Sequence, residues 1–135
     1  MKRFTLLLWL CSCLVCLNAA NVYVSTSGAD AHDGSSWATA KLSLQAAVDV
    51  ALDGDTVFVS EGMYNQAIKV KKSVNIFGGY AATTGERNPE IYHTILDGTN
   101  LNSTLLTQVS AFKDTTFFDG LILQNAHHTS AGGAV

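Results

Sequence analysis

The chain has 135 residues, 47% of them apolar and 14% charged, which suits one folded domain with an ordinary core and excludes a disordered protein. Its 8 basic and 11 acidic side chains form no extended basic patch along the sequence, which argues against nucleic acid as a partner.

Residues 1–20 have the features of a signal peptide. Lys2 and Arg3 precede an apolar run over residues 4–17, and the small residues Ala19 and Ala20 follow it. The run is shorter than the roughly 20 residues that a membrane-spanning helix needs, so a cleaved signal is favoured over a retained anchor. We predict cleavage after Ala20. A lipoprotein signal with an acylated Cys13 remains a third interpretation.

Cleavage would change the chemistry of the chain. All three cysteines lie within this segment, at positions 11, 13 and 16, so the mature chain would have neither a disulfide nor a zinc–thiolate site. Loss of Lys2 and Arg3 would leave six basic against eleven acidic side chains, a net charge of −5.

A strand, a loop and a helix follow the signal. Residues 22–25 alternate as a short strand does, and residues 26–36 are rich in turn formers. Ser43 is the predicted N-cap of a helix that ends at residues 53–54. The helix has one apolar face, formed by Leu44, Ala47, Val48 and Ala51.

The rest of the chain consists of short β-rich runs at residues 56–59, 68–70, 74–77, 94–96, 105–107 and 121–123. Turn formers separate them at residues 61–62, 78–79, 97–98 and 119–120, which leaves no room for crossover helices. The runs fit either an antiparallel sandwich or a parallel solenoid. Spacings of 21 residues from Val74 to Ile95 and 23 from Ile95 to Phe118, without Asn-Gly hairpin turns, favour the solenoid.

Several blocks carry a resemblance to a known family. Residues 23–25 and 33–39, with the start of the helix, resemble the N-terminal cap of bacterial right-handed parallel β-helix proteins. Later blocks resemble successive rungs of that fold, at residues 54–64, 73–80, 86–89, 94–98 and 118–126.

The resemblance implies an all-β fold, a right-handed parallel β-helix (solenoid) with an N-terminal capping α-helix. It divides the chain into a signal peptide (1–20), a strand, loop and capping helix (21–55), and first rungs (56–135). Residues 132–135 end the chain without a polar capping segment, so we expect it to be the truncated N-terminal fragment of a longer protein.

The family includes pectate-lyase-like and chondroitinase-like polysaccharide lyases and surface proteins similar to adhesins or polymorphic outer-membrane proteins. In the lyases, calcium-binding carboxylates and a basic catalytic residue come from later rungs that have no counterpart here. We therefore expect an exported, non-enzymatic scaffold, secreted or held at the cell surface or outer membrane, which contacts polysaccharide or cell-surface glycans. The alternative is the N-terminal segment of a polysaccharide lyase whose catalytic rungs are missing.

Two groups of residues suggest chemistry. Asp30, His32 and Asp33 could gather around calcium, but such residues are also the ordinary material of tight turns. The three lysines at positions 69, 71 and 72 could bind an anionic polysaccharide or supply a lyase base. Alternation places Lys69 on the outer side of its strand and the other two in a turn, so solvated surface is favoured.

The polar residues near the end of the chain have structural explanations. His127 and His128 are adjacent, so on an extended chain they point to opposite sides and do not share one ion. Asn125 suits a left-handed bend that bonds a neighbouring turn, and the sequon at Asn102 matters only in a eukaryotic secretory pathway. We predict no catalytic, cofactor-binding or metal-binding residue, with calcium an option only for the complete protein.

The alternation also predicts which side chains form the core. Trp37 and Tyr64 are expected to close its end against the helix. The remaining core positions are Val57, Val59, Ile68, Val70, Val74, Ile76, Ile95, Leu105, Leu121 and Leu123.

Overall fold

The computed structural model describes residues 19–109, 111 and 113–127. The first eighteen residues of the predicted signal peptide, the last eight residues of the chain and therefore His128 lie outside these ranges. The helical elements are a short 3₁₀ turn, Trp37–Thr39, and the helix α1, Leu44–Val50. The strands are β1 Asn21–Val24, β2 Thr56–Ser60, β3 Gly62–Tyr64, β4 Ile68–Val70, β5 Asn75–Tyr80, β6 Thr94–Asp97, β7 Leu106–Gln108, β8 Phe118–Asp119 and β9 Leu121–Gln124.

The fold is mostly β, and its strands form three parallel sheets. Sheet A has the order β1-β2-β5-β8, sheet B has β3-β6-β9, and sheet C pairs β4 with β7. From β2 onward the chain enters sheets A, B and C in turn and then repeats that order. From β2 onward, consecutive strands therefore belong to different sheets, and every strand bonds to one from an earlier or later passage of the chain.

The predicted spacing of 21 to 23 residues is wrong. Val57 pairs with Ile76, 19 positions later, whereas Ile76 pairs with Phe118, 42 positions later, and Thr94 pairs with Leu121, 27 positions later. The predicted period was measured between strands of different sheets. Val74 and Phe118 lie at or in strands of sheet A, whereas Ile95 lies in sheet B. Loops of unequal length separate equivalent strands, so no constant period exists.

The core lies between the three sheets and is covered on one side by α1. The predicted N-cap is confirmed, since the Ser43 hydroxyl accepts a hydrogen bond from the backbone N–H of Ala46. The predicted apolar face is buried and packs against β1, β2 and β4. A helix of seven residues is too short to be stable alone, so this packing is what holds it.

Most of the predicted core is confirmed, with two corrections. Val57, Val59, Ile68, Val70, Val74, Ile76 and Leu105 are buried, and Leu121 and Leu123 are half-buried against them. The assignment of Ile95 to the core is wrong, because the inward side chains of β6 are its neighbours Thr94 and Leu96. The prediction that Trp37 closes the end of the core is also wrong, because this side chain is half-exposed and packs on the outer side of sheet A. Tyr64 is buried.

The predicted turn at residues 78–79 lies within β5 instead. Gly78 is required there because a Cβ would come within 2.2 Å of the carbonyl oxygen of Gly120 on the neighbouring passage of the chain. Gly79 has a φ of 86°, which favours glycine. Close backbone approach therefore explains glycines that by themselves indicate a turn.

Candidate functional site

In the acidic loop before α1, the carboxylates form hydrogen bonds with nearby groups of the same segment. The Asp30 carboxylate accepts hydrogen bonds from the backbone N–H groups of Leu42 (3.0 Å) and Ser43 (2.7 Å) and from the Ser43 hydroxyl. These bonds, the Ser43 N–H first among them, lower the pKa of Asp30. The Lys41 ammonium donates to the carbonyl oxygens of Asp30 and His32. These groups are therefore engaged in the loop before α1.

Asp33 has an equivalent local role. Its carboxylate accepts hydrogen bonds from the backbone N–H and the hydroxyl of Ser35, each at 2.9 Å. The N–H of Ser35 is the main cause that lowers the pKa of Asp33 to about 2. Within the described ranges, no three His, Cys, Asp or Glu side chains gather closely enough to hold a metal ion.

The three lysines do not converge on a common site. Lys69 is exposed on the outer side of β4, where it lies in register with Thr107 of β7. Lys72 turns toward the helix, and its ammonium donates to the carbonyl oxygens of Asp49 and Ala51 at the C-terminal end of α1. Lys71 is exposed. Lys72 therefore stabilises the C-terminal end of α1. The sequence did not indicate this role.

Asn125 lies in a polar corner that follows sheet B. Its φ of 53° confirms the predicted left-handed bend, and its side-chain amide donates to the carboxylate of Asp97 at 2.9 Å. This bond is the first cause of the lowered pKa of Asp97. On the other side, the amide of Asn65 donates to the carbonyl oxygens of Asp97 and Thr99. His127 contacts only the edge of this corner, with Nδ1 3.4 Å from Oδ1 of Asn102.

An aromatic cluster that we did not predict covers the outer side of sheet A. Tyr23, Phe58 and Phe77 occupy paired positions on three neighbouring strands, with ring centroids 5.5 and 6.4 Å apart. Trp37 packs against Tyr23, and Tyr80 packs against Trp37 and Phe58. The alternation of Phe58 and Phe77 with buried neighbours was the signal in the sequence that could have identified this cluster.

Arg87 completes the aromatic cluster. Its guanidinium lies over the rings of Phe77 (5.5 Å) and Tyr80 (5.7 Å) and forms an ion pair with Asp119, which lowers the pKa of that carboxyl. The rings thus contact one another and the arginine. This arrangement anchors the loops that contain Trp37 and Arg87.

The outer side of sheet B is different, because it carries apolar side chains that are exposed, at Met63 and Ile122, or half-exposed, at Ile95. Met63, Ile95 and Ile122 occupy paired positions on β3, β6 and β9 and form a row across the sheet. Met63 is 57% exposed and Ile122 41% exposed. Neighbouring apolar side chains that remain accessible make this side of the sheet a candidate surface for contact with a ligand or partner.

A hollow of about 320 Å³ lies at the Met63 end of this row. Its apolar lining includes Met63 and Leu42, both exposed, beside the buried ring of Tyr64. Burial raises the pKa of the Tyr64 phenol to about 12, so this group is neutral at physiological pH. The other lining residues carry hydroxyl or amide groups: Thr26, Ser43, Asn65 and Gln66. The hollow thus combines apolar and uncharged polar groups.

Comparison with known proteins identifies no relative: the chain matches no family model, no curated protein and no solved structure. In the part of the chain that the structure covers, none of the helical segments has the length and apolar character needed to cross a bilayer.

Proposed function

We propose that this chain is the N-terminal part of a right-handed parallel β-helix. The repeated passage through three parallel sheets supports this fold, because stacked coils with three short strands each would have this topology. The position of α1 over one side of the core supports its role as a cap. The handedness follows from the family resemblance and from the strong preference of parallel crossovers for the right hand.

We further propose that the protein is exported and acts as a non-enzymatic scaffold that contacts glycans. The observation that carries this function is the apolar row of Met63, Ile95 and Ile122, whose two end residues are exposed, with the uncharged hollow beside Met63. A sugar ring has an apolar C–H face and hydroxyl groups around its rim. The apolar row can contact the C–H face of the sugar, and the hydroxyl and amide groups of the hollow can form hydrogen bonds with its hydroxyl groups.

The charges favour a neutral glycan over an acidic one. The lining of the hollow contains no lysine, arginine or histidine that could pair with a carboxylate or sulfate group. The predicted mature chain has a net charge of −5, which disfavours the approach of polyanions. We therefore expect neutral polysaccharides to bind and acidic ones to bind weakly.

A pull-down with insoluble polysaccharides tests this function. The exported protein is incubated with cellulose, chitin and insoluble pectate, and we expect it to bind a neutral polymer in preference to pectate. The double variant Met63→Thr, Ile122→Thr should bind at least about tenfold more weakly, because each apolar side chain contributes roughly 1.5–3 kcal/mol when fully buried. Lys69→Thr is the matched control, since it changes an exposed outward residue of sheet C.

Two results would contradict the proposal. Equal binding by the double variant and by Lys69→Thr would show that the apolar row is not the contact surface. Calcium-dependent release of unsaturated products from pectate would identify a polysaccharide lyase instead.

A further inference from the structure

Ala20, immediately before β1, is bound to the folded chain through both of its backbone groups. Its N–H donates to Oδ1 of Asp55 at 2.7 Å, and its carbonyl oxygen accepts from the N–H of Thr56 at 3.0 Å. Its methyl side chain is exposed, so the backbone alone makes these contacts. A chain that began at Asn21 would lack both hydrogen bonds.

The partner of Ala20 is a buried carboxylate. Asp55 is 5% exposed, and its second oxygen accepts from the N–H of Leu52 at 2.8 Å. Two ion pairs occur among the described residues, Arg87 with Asp119 and Lys113 with Asp53, and neither involves Asp55. A buried carboxylate is costly when no cation compensates it. The surroundings of Asp55 are therefore suited to a positively charged donor at the position of the Ala20 nitrogen.

The sequence allows signal cleavage on either side of Ala20. Signal peptidase requires a small residue at the end of the leader, and Ala19 and Ala20 both meet this requirement. A cut after Ala20 removes the nitrogen that bonds to Asp55. A cut after Ala19 turns the same nitrogen into a free α-amino group.

We infer that the mature chain begins at Ala20, one residue earlier than the sequence pattern predicted, and that its α-ammonium forms an ion pair with Asp55. The inference rests on the proposed export of the protein. In the cleavage, water hydrolyses the Ala19–Ala20 peptide bond: its oxygen becomes part of the Ala19 carboxylate, and its two protons go to the released nitrogen, which becomes an α-ammonium. Free α-amino groups have a reference pKa of about 7.7–8.0, so this group is mainly charged at neutral pH.

The ion pair gives cleavage a consequence for stability. In the uncleaved chain, the nitrogen of Ala20 is a neutral amide that offers Asp55 one hydrogen bond without charge. After cleavage at Ala19, the bond joins two opposite charges, and such bonds are about twice as strong as neutral ones. Removal of the leader thus stabilises the first strand at its free end.

The mass of the exported protein tests the position of the cut. The full precursor is expressed with its own leader in a bacterial host, and the intact mass of the extracytoplasmic product is measured. We expect the mass of residues 20–135. A product that begins at Asn21 would overturn this inference and leave export intact. Retained Met1 or a lipid on Cys13 would overturn the proposed cleaved-signal export as well.

Urea unfolding of the exported product tests the ion pair. Asp55→Asn should raise the unfolded fraction about tenfold or more, because hydrogen bonds to charged groups contribute more than neutral ones. Asp114→Asn, which removes the same charge at an exposed position, should have little effect. Deletion of Ala20 should destabilise the wild type more than the Asp55→Asn variant. Equal losses in both backgrounds would overturn the ion pair, and the mass measurement stands even if a variant fails to fold.

Discussion

Among the described residues, three asparagines have a left-handed backbone, with φ values of 64° at Asn100, 44° at Asn102 and 53° at Asn125. Asparagine tolerates this conformation better than most residues because its short side chain can bond locally. At Asn125 the side chain also bonds to Asp97, so the residue has both a conformational and a bonding role.

We expect Asn125→Ala to reduce the free energy of unfolding by about 2–3 kcal/mol. Left-handed strain accounts for roughly 1–2 kcal/mol and the lost hydrogen bond for about 1 kcal/mol. Asn125→Gly removes the side-chain bond but keeps the backbone freedom, so it should cost less. Urea denaturation of the two variants checks this expectation, and an equal cost for both would exclude the strain as a contribution.

The pKa of Asp33 predicts an acid-dependent contribution to stability. Its value of about 2 in the folded chain lies below the ordinary 3.8, so the charged form is favoured by folding. This contribution is fully present above about pH 4 and is lost as the pH falls through about 2. The main cause is the N–H of Ser35.

We therefore expect Asp33→Asn to lower the melting temperature at about pH 6 and to have a smaller effect near pH 2. Thermal unfolding of both proteins at several pH values checks this difference. A pH-independent effect of the substitution would contradict the role of the charged carboxylate.

The helix α1 is held to its surroundings by side chains beyond its apolar face. The Gln45 side chain accepts from the backbone N–H of Lys69 at 2.8 Å and donates to the carbonyl oxygen of the same residue at 3.3 Å. Lys72 binds the carbonyl oxygens at the helix C-terminus. Both contacts connect α1 to β4 and the turn that follows it, so the short helix and this part of the sheet should unfold together.

We expect Lys72→Met to lower the free energy of unfolding by about 1–2 kcal/mol, because it keeps the aliphatic stem and removes a cation that bonds carbonyl groups at the helix end. Lys69→Met is the control, since that lysine is exposed and should contribute little. Denaturant unfolding checks both variants. Similar values for the two would mean that the helix-end contact does not contribute.

In the described part of the molecule, β7, β8 and β9 are the last strands of sheets C, A and B. Their outer edges have no neighbouring strand there, and Phe117 beside them is 56% exposed. Unpaired strand edges beside apolar side chains promote pairing between molecules.

We expect residues 20–135 produced alone to be marginally stable and to self-associate through this edge. Gel filtration over a range of concentrations, combined with denaturant unfolding, measures both properties. Phe117→Lys should reduce the association, because an edge charge disfavours pairing between molecules. Ile91→Lys changes an exposed apolar residue in a loop and should leave it unchanged. A monodisperse wild-type monomer with a cooperative transition would contradict this expectation.

Much of the secondary structure and core could be predicted from the sequence because these features depend on near neighbours. Alternation identified Val57, Val59 and Ile76 as buried, and the Ser43 cap placed the start of the helix. The same reasoning failed at Ile95 by one position, because Ile95 and Leu96 are adjacent apolar residues and alternation does not indicate which of the two is buried.

The candidate sites were decided by the tertiary structure. Ala20 and Asp55 are 35 positions apart, Arg87 and Asp119 are 32 apart, and the apolar row consists of residues from three separate strands. Backbone hydrogen bonding between passages of the chain sets the register that brings them together. Because loops of different lengths separate equivalent strands, no local pattern in the sequence specifies that register.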